Sequence, residues 1–206
     1  MIGPDQPIYG LFKFGRRDHL ESLRSDGLLY MRPLAEFAKL ESDKARGDNF
    51  EGTTEIIQPR RIKKFAVGGG VAGIHALNPS SLKGPFRFAK GETAWCNVYC
   101  MFAATSLADG ESISRQNFQF GDSFIEVKDI EQFLDRAVDA STKAGLIHFE
   151  SRLVEYFDPE EYSGEVGRFR KRSTFAYQSE FRIAVDPGSV APSVASHADR
   201  LLLSVV

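Results

Sequence analysis

Glu180 is a carboxylate set in the middle of an otherwise apolar stretch, "STFAYQSEFRIAV" (173–185), with Arg182 two residues further on. The placing of Phe175, Tyr177, Phe181, Ile183 and Val185 predicts a strand through it. A carboxylate held rigidly in such a place can stabilise a developing positive charge, accept a hydrogen bond from a hydroxyl, or take a proton. The plainer reading is a solvent-facing strand residue paired with Arg182 on the same face. Just upstream lies "RFRKR", in which Arg168, Arg170, Lys171 and Arg172 surround Phe169 and precede Phe175. Cations mixed with aromatics suit the phosphates and stacked bases of a single strand. Such a run also makes a solvated face or an edge strand. A second basic run, "RRIKK", occupies 60–64 and carries the same two readings.

Other constellations fall away on context. Gly68-x-Gly70-x-x-Gly73 follows the strand-like "IKKFAV" and formally matches a dinucleotide fingerprint, but "IHALNPSS" reaches Asn78-Pro79 before a crossover helix can form. A flexible glycine loop is the better expectation. Neither a P-loop nor a "GxSxG" elbow occurs. Asp158, Glu160 and Glu161 lie in a turn-rich acidic loop and are expected to be solvated. Cys96 and Cys100 are not spaced as zinc ligands, and His19, His75, His148 and His197 are scattered, so no metal is expected. On a strand, the two cysteines share a face and behave as small apolar residues.

The elements that must position these groups follow from periodicity. "IYGLFKF" (8–14) is predicted as a strand and "RRDHLESLRSDG" as a short helix, with Leu20 and Leu23 on one face and Gly27 as its C-cap. "LLYMRPL" returns as a strand, and "AEFAKLESDKAR" (35–46) reads as a second helix before the loop "RGDNFEGT". Strand segments broken by Pro59 are expected over 55–67, then one or two strands around a turn at Lys90-Gly91 in "FRFAKGETAWCNVYCMFAAT". "SFIEV" is a strand. The next helix is the clearest, with Ile130, Phe133, Leu134, Ala137 and Val138 at helical spacing and Gly145 ending it. "LIHFESRLVEYF", "TFAYQSEFRIAV" and "RLLLSVV" complete the strands.

This order predicts an α+β fold, and 206 residues without repeat or linker suit a single domain over 1–206. The chain is 42% hydrophobic and 26% charged, with net charge −2, so it is no polycation. No run approaches the roughly 18 apolar residues of a membrane span, so no membrane partner is expected. "MIGPDQPIYG" lacks the basic start and apolar core of a secretory signal. A cytoplasmic location is the expectation.

Two segments, taken together, carry a family resemblance. "IYGLFKFGRRDHLESLRSDGLLYMRPL" resembles the opening of ADP-ribosyltransferase-like domains, and "YQSEFRIAV" resembles their late glutamate strand. The latter is most similar to the strand of DarT-type enzymes that modify nucleic acid. The chain also looks like an uncharacterised bacterial family with "YKY", "DPFE" and "E-x-R" where this sequence has "FKF", "DNFEG" and "SEFR". The resemblance covers about a third of the chain, in separate pieces, and leaves the glycine stretch unaligned.

The resemblance implies a split, mostly antiparallel β-sandwich with peripheral helices, clasping NAD as co-substrate without a metal. It implies that Glu180 is the catalytic glutamate, steadying the ribose as nicotinamide leaves, and that Lys13 holds the phosphates or the adenosine side. Tyr99 would stack on nicotinamide or pack in the core, and Arg46, Asp48 and Asn49 would touch NAD or the target. The stretch holding Arg168, Arg170, Lys171, Arg172 and Phe175 would face the acceptor. That acceptor is expected to be RNA or DNA, with a protein acceptor open, in a toxin-like or phage-defence effector with a possible antitoxin partner. Gln178 gives a Q-x-E spacing, whereas the superfamily's paired E-x-E and its Ser-x-Ser/Thr strand are not evident. The rival expectation is a catalytically silent module that binds nucleic acid or protein.

Overall fold

A computed structural model describes residues 6–40, 45–68, 74–89, 91–106, 113–146, 148–186 and 201–204. β1 (Gly10–Gly15) leads into α1 (Arg17–Asp26), which buries Leu20 and Leu23 and ends at Gly27 with φ +61. That left-handed residue turns the chain into β2 (Leu28–Pro33), as its lack of a Cβ allows. α2 (Leu34–Ala38) follows at once. β3 (Glu55–Ile57), β4 (Phe65–Gly68), β5 (Ile74–Leu77) and β6 (Phe86–Phe88) are short. α3 (Gly91–Ala94) is a single turn before the long β7 (Asn97–Ala104). β8 (Ser123–Val127) precedes α4 (Ile130–Lys143), capped by Asp129, whose side chain accepts from the Gln132 N–H at 2.9 Å. β9 (His148–Leu153), β10 (Glu155–Phe157), β11 (Gly164–Glu165), β12 (Arg170–Arg172), β13 (Glu180–Asp186) and β14 (Leu201–Ser204) complete the order.

The fold is α+β, mostly antiparallel, and one domain. β7 is the centre of the main sheet. One edge is zipped to β13 from Asn97↔Val185 to Phe102↔Glu180, and β13 in turn pairs with β9. The other edge of β7 is shared. β1 takes its end, with Phe12↔Phe102 and Gly10↔Ala104, while β2 takes its start, with Arg32↔Val98 and Pro33↔Asn97. β8 extends the sheet beyond β1 and β14 beyond β2. Between the two partners the sheet is split, and Cys100 lies in the gap.

Alternation decides what covers each face. Tyr99, Met101, Phe181, Ile183 and Val185 point to a core closed by Ala137 and Ala140 of α4, with Ile130, Phe133 and Leu134 packed against it. On the opposite face, Val98, Cys100 and Ala184 meet Leu34, Cys96 and Phe169. Ile56, Phe157 and Val166 make a third cluster in the small sheets β11–β3–β6 and β10–β12. Both cysteines pack in one cluster, and burial pushes each thiol up to about 12.

Several expectations are corrected. The second helix stops at Ala38 instead of running to 46, with residues 41–44 outside the described residues. Val138 is 40% exposed and lies off the apolar face of α4. Where a turn at Lys90-Gly91 was expected, Lys90 lies outside the described residues and Gly91 begins α3. The strand predicted from 173 begins only at Glu180, because Ser173–Gln178 is a 3-10 helix. Its two buried residues, Phe175 and Gln178, are three apart, a spacing that one 3-10 turn brings to one side and a strand does not. The dinucleotide fingerprint lies largely outside the described residues (69–73). The strands flanking it, β4 and β5, pair antiparallel from Phe65↔Leu77 to Gly68↔Ile74, which leaves no room for a crossover helix.

Candidate active site

The split in the sheet opens into a cavity of about 510 Å³. Its floor is β7 from Val98 to Phe102, and its sides are Lys13–Arg16 where β1 departs and Leu28, Tyr30 and Arg32 where β2 returns. α1 contributes His19, Leu20 and Leu23, and the 3-10 segment Arg115–Phe120 contributes Asn117 and Phe120. Gly121 ends that segment against β1, where a Cβ would lie 2.0 Å from the Gly15 carbonyl carbon. Only glycine permits that approach.

Lys13 closes the gap in the sheet. Its ammonium donates to the Cys100 carbonyl at 2.6 Å and sits 4.3 Å from the centre of the Tyr99 ring. A strand carbonyl left between two partners is thereby satisfied by a charge. Burial pushes the Lys13 ammonium below its ordinary value, and Arg46 adds to that while Glu180 opposes it. Arg46, on the same cavity, donates to the Phe120 carbonyl at 3.0 Å and lies 5.4 Å from the Phe120 ring. Arg32 lies over Tyr30 at 5.5 Å.

Among the described residues that line the cavity, Glu180 is the one carboxylate. It is 4% exposed and heads a network of buried charges. Arg182 Nε donates to its Oε1 at 2.7 Å, and Lys171 Nζ donates to its Oε2 at 3.1 Å. Arg182 is in turn held bidentately by Glu51 at 2.7 and 3.2 Å and also donates to the Arg168 carbonyl. Lys171 donates to Gln178 Oε1 at 2.9 Å, and the Gln178 amide donates to the Ala45 carbonyl at 2.7 Å. Burial alone would raise the Glu180 carboxyl, but Arg182 and Lys171 outweigh it and hold it well below the usual carboxylate range. Glu180 and Glu51 in turn keep Lys171 charged despite its burial.

The approach to Glu180 is constrained. Ser179 has φ +39, the one non-glycine residue with positive φ among the described residues. Its hydroxyl donates to the Ala103 carbonyl at 2.6 Å, its N–H donates to Ala176 at 3.1 Å, and its carbonyl accepts from the Ala103 N–H at 2.8 Å. Three bonds thus fix a conformation that costs of order 1–3 kcal/mol. The Glu180 N–H donates to Tyr156 Oη at 2.9 Å. Glu180 therefore enters the sheet with its direction set on both sides.

The residues picked out from sequence divide. Glu180, Lys13, Tyr99 and Arg46 share the cavity, and Tyr99 belongs to the core as well. Asn49 is exposed and does not line the cavity. Asp48 is fully buried, accepting from Arg172 Nε at 2.7 Å. The basic run 168–172 does not form the outward cationic and aromatic surface expected of it. Arg168 pairs with Asp186 at 2.6 Å, Arg170 with Glu155 at 2.9 Å, and Lys171 lies inside the network. Phe169 and Phe175 are 2% and 5% exposed. Alternation on β12 turns Lys171 inward, and acids from other strands meet its neighbours.

Glu51, Arg32, His19 and Asn117 were missed as site residues, and Gln178 was noted only for its Q-x-E spacing. Glu51 lies three residues from Asp48 in one turn, its N–H bonded to the Asp48 carbonyl at 2.9 Å, but no local pattern says that its partner is 131 residues away. The chain matches no family model, no curated protein and no solved structure. Among the described residues no group of three or more His, Cys, Asp or Glu could hold a metal, and no helix is long and apolar enough to cross a membrane.

Proposed function

We propose that the chain is an NAD-dependent ADP-ribosyltransferase acting on a macromolecular acceptor, with nucleic acid the preferred class. One observation carries the reading. Glu180, an ionised carboxylate fixed by its neighbours, shares a split-sheet cavity with the cations Lys13, Arg32 and Arg46. The volume is within the range of small-ligand sites, and the donor set suits a ligand with phosphates at one end and a developing cation at the other. Lys13 and Arg46 would hold the pyrophosphate and Glu180 would face the ribose bearing nicotinamide. Arg182 and Lys171 each donate one N–H to Glu180 and the Cys100 thiol is a third partner, which leaves capacity on the carboxylate for one ribose hydroxyl. A carboxylate held so far below its ordinary range is a weak base. Its part is therefore to stabilise positive charge on the ribose as the glycosidic bond breaks, rather than to take the acceptor's proton.

The test is incubation with labelled NAD and separate RNA, DNA and protein pools, with free nicotinamide measured alongside. Transfer to a pool is expected, with Glu180→Gln slowing nicotinamide release about a hundredfold or more. Glu180→Asp keeps the network's net charge while withdrawing the carboxylate from Arg182 and Lys171; it should melt below the wild type, and its folded fraction should also be slow. If the folded Asp variant works as well as the parent, the catalytic role of Glu180 is lost.

A second reading, a silent binding module, is favoured by the same network, since both Glu180 oxygens already have protein partners. It predicts that NAD or ADP-ribose binds without release of nicotinamide.

A further inference from the structure

Charge along the chain is strongly segregated. Between Glu55 and Glu92 the sequence has seven Lys or Arg and no Asp or Glu, although the whole chain is slightly acidic. The structure brings the described parts of this segment together in one lobe. The 3-10 turns Pro59–Arg61 and Pro79–Ser81 touch, the β4–β5 hairpin follows the first, and β6 forms the outer edge of the small sheet β11–β3–β6. Phe65 packs on Phe86 with ring centres 4.7 Å apart, which brings "RRIKK" beside β6. The opposite edge, β11, carries Glu165 and stands near Glu161. The small sheet itself carries Arg87 on β6 and the acids Glu55 and Glu165 on β3 and β11, with exposed Glu55 directly across from Phe88, so the excess of cations comes from 60–64 and Lys83.

Unlike the run at 168–172, these cations face outward. Arg61, Lys63, Lys64 and Lys83 are exposed, and among the described residues they form no ion pair. Arg60 does pair with Glu161, at 2.5 Å on the surface. Phe88 is 49% exposed beside the exposed Arg87, which donates to the Asn49 carbonyl at 2.7 Å and lies 5.0 Å from the Phe50 ring. Asn49 is three residues from Arg46 on the cavity wall, at most about 11 Å along the chain.

We propose that this basic lobe, residues 60–64 with 83–88, docks single-stranded nucleic acid. Unpaired cations meet phosphates and an exposed ring offers a stacking face, a combination that a single strand uses along its length. Duplex grooves take an inserted helix or ribbon, but Arg61, Lys63, Lys64 and Lys83 all lie outside the one described ribbon of the lobe, β4–β5. Anionic membranes favour an amphipathic helix, and the described helical turns of the lobe are three residues long. Its proximity to Arg46 lets a strand held there reach the cavity mouth. The binding itself does not depend on the transferase reading.

The experiment measures fluorescence anisotropy of labelled uridine and thymidine oligomers of about 20 nucleotides with the full chain, without NAD, over a salt series. Binding is expected to weaken with salt at a log–log slope of about −3, as for four phosphate contacts on a single strand. Lys63→Glu/Lys64→Glu should bind more than tenfold more weakly with a shallower slope. Arg136→Glu/Lys143→Glu on α4, of equal charge change, should bind as wild type. Phe88→Ala should weaken binding about tenfold without altering the slope. Preference for RNA or for DNA would each support the site and name the source of the strand. Absence of binding, equal loss in both double variants, or stronger binding to anionic vesicles or polyglutamate would overturn it. Because NAD is left out, an inert cavity leaves the measurement unaffected.

Discussion

The two basic runs, "RRIKK" and "RFRKR", have nearly the same composition and opposite fates. Lys63 and Lys64 reach solvent, whereas Lys171 is 5% exposed between Glu180, Glu51 and Gln178. The difference is in neighbours, not in charge count. The first run lies in a segment without acids. The second lies on β12, whose parallel partner β10 brings Glu155 to Arg170, while the loop before β3 supplies Asp48 and Glu51. A cation run is left open to solvent where the fold offers it few carboxylates: in the first run only Arg60, with Glu161, has a described ion pair.

Substituting one lysine from each run breaks the comparison most directly. Lys171→Met leaves two buried carboxylates facing Arg182 alone and should cost about 3–5 kcal/mol. Lys64→Met, on the surface, should change stability by less than about 0.5 kcal/mol. Urea denaturation of both variants measures this. Equal costs would mean that Lys171 is not in a closed network, and the geometry around Glu180 would have to be redrawn.

A smaller effect is expected at the junction between the second run and the glutamate strand. Ser179→Gly relieves φ +39 but loses the hydroxyl bond to Ala103, so it should cost no more than about 1 kcal/mol, whereas Ser179→Val loses that bond and places a branched side chain in that region and should cost about 1–3 kcal/mol. If the transferase reading holds, Val should also impair nicotinamide release more than it impairs NAD binding, because it misdirects Glu180. Thermal melts and a release assay separate the two effects. A stable Val variant with full activity would show that the left-handed turn does not aim the carboxylate.

These effects mark where sequence was legible. Alternation in "EFRIAV" put Phe181, Ile183 and Val185 among the apolar positions, and all three lie in the core, while Gly27 and Gly145 marked the ends of their helices. The carboxylate of Glu180 was visible as a misfit within an apolar strand. Its partners were not, because Lys171 looked like one member of a surface run and Glu51 like a loop acid. The split in the sheet was equally hidden. It arises because β1 and β2 share one edge of β7, a fact of pairing register that no single segment encodes.

The subtlest difference between the two regions is in acid. Glu180 has its carboxyl held well below the ordinary range in the folded chain, and in the unfolded chain it titrates near 4.3. Its contribution to stability is therefore complete above about pH 4.3 and is lost as pH falls through the folded value, where the unfolded chain binds the extra proton. The slope from this one group is at most about 1.4 kcal/mol per pH unit. Glu180→Gln should flatten the acid limb by up to that amount, while Lys63→Glu/Lys64→Glu, whose new carboxylates are solvated, should leave it nearly unchanged. The single tryptophan, Trp95, is 37% exposed and next in sequence to Cys96 of the second cluster, and its fluorescence reports the transition. Superimposable acid limbs for wild type and Glu180→Gln would mean that Arg182 and Lys171 do not hold the carboxylate ionised, and the electrostatic case for its role at the cavity would go with them.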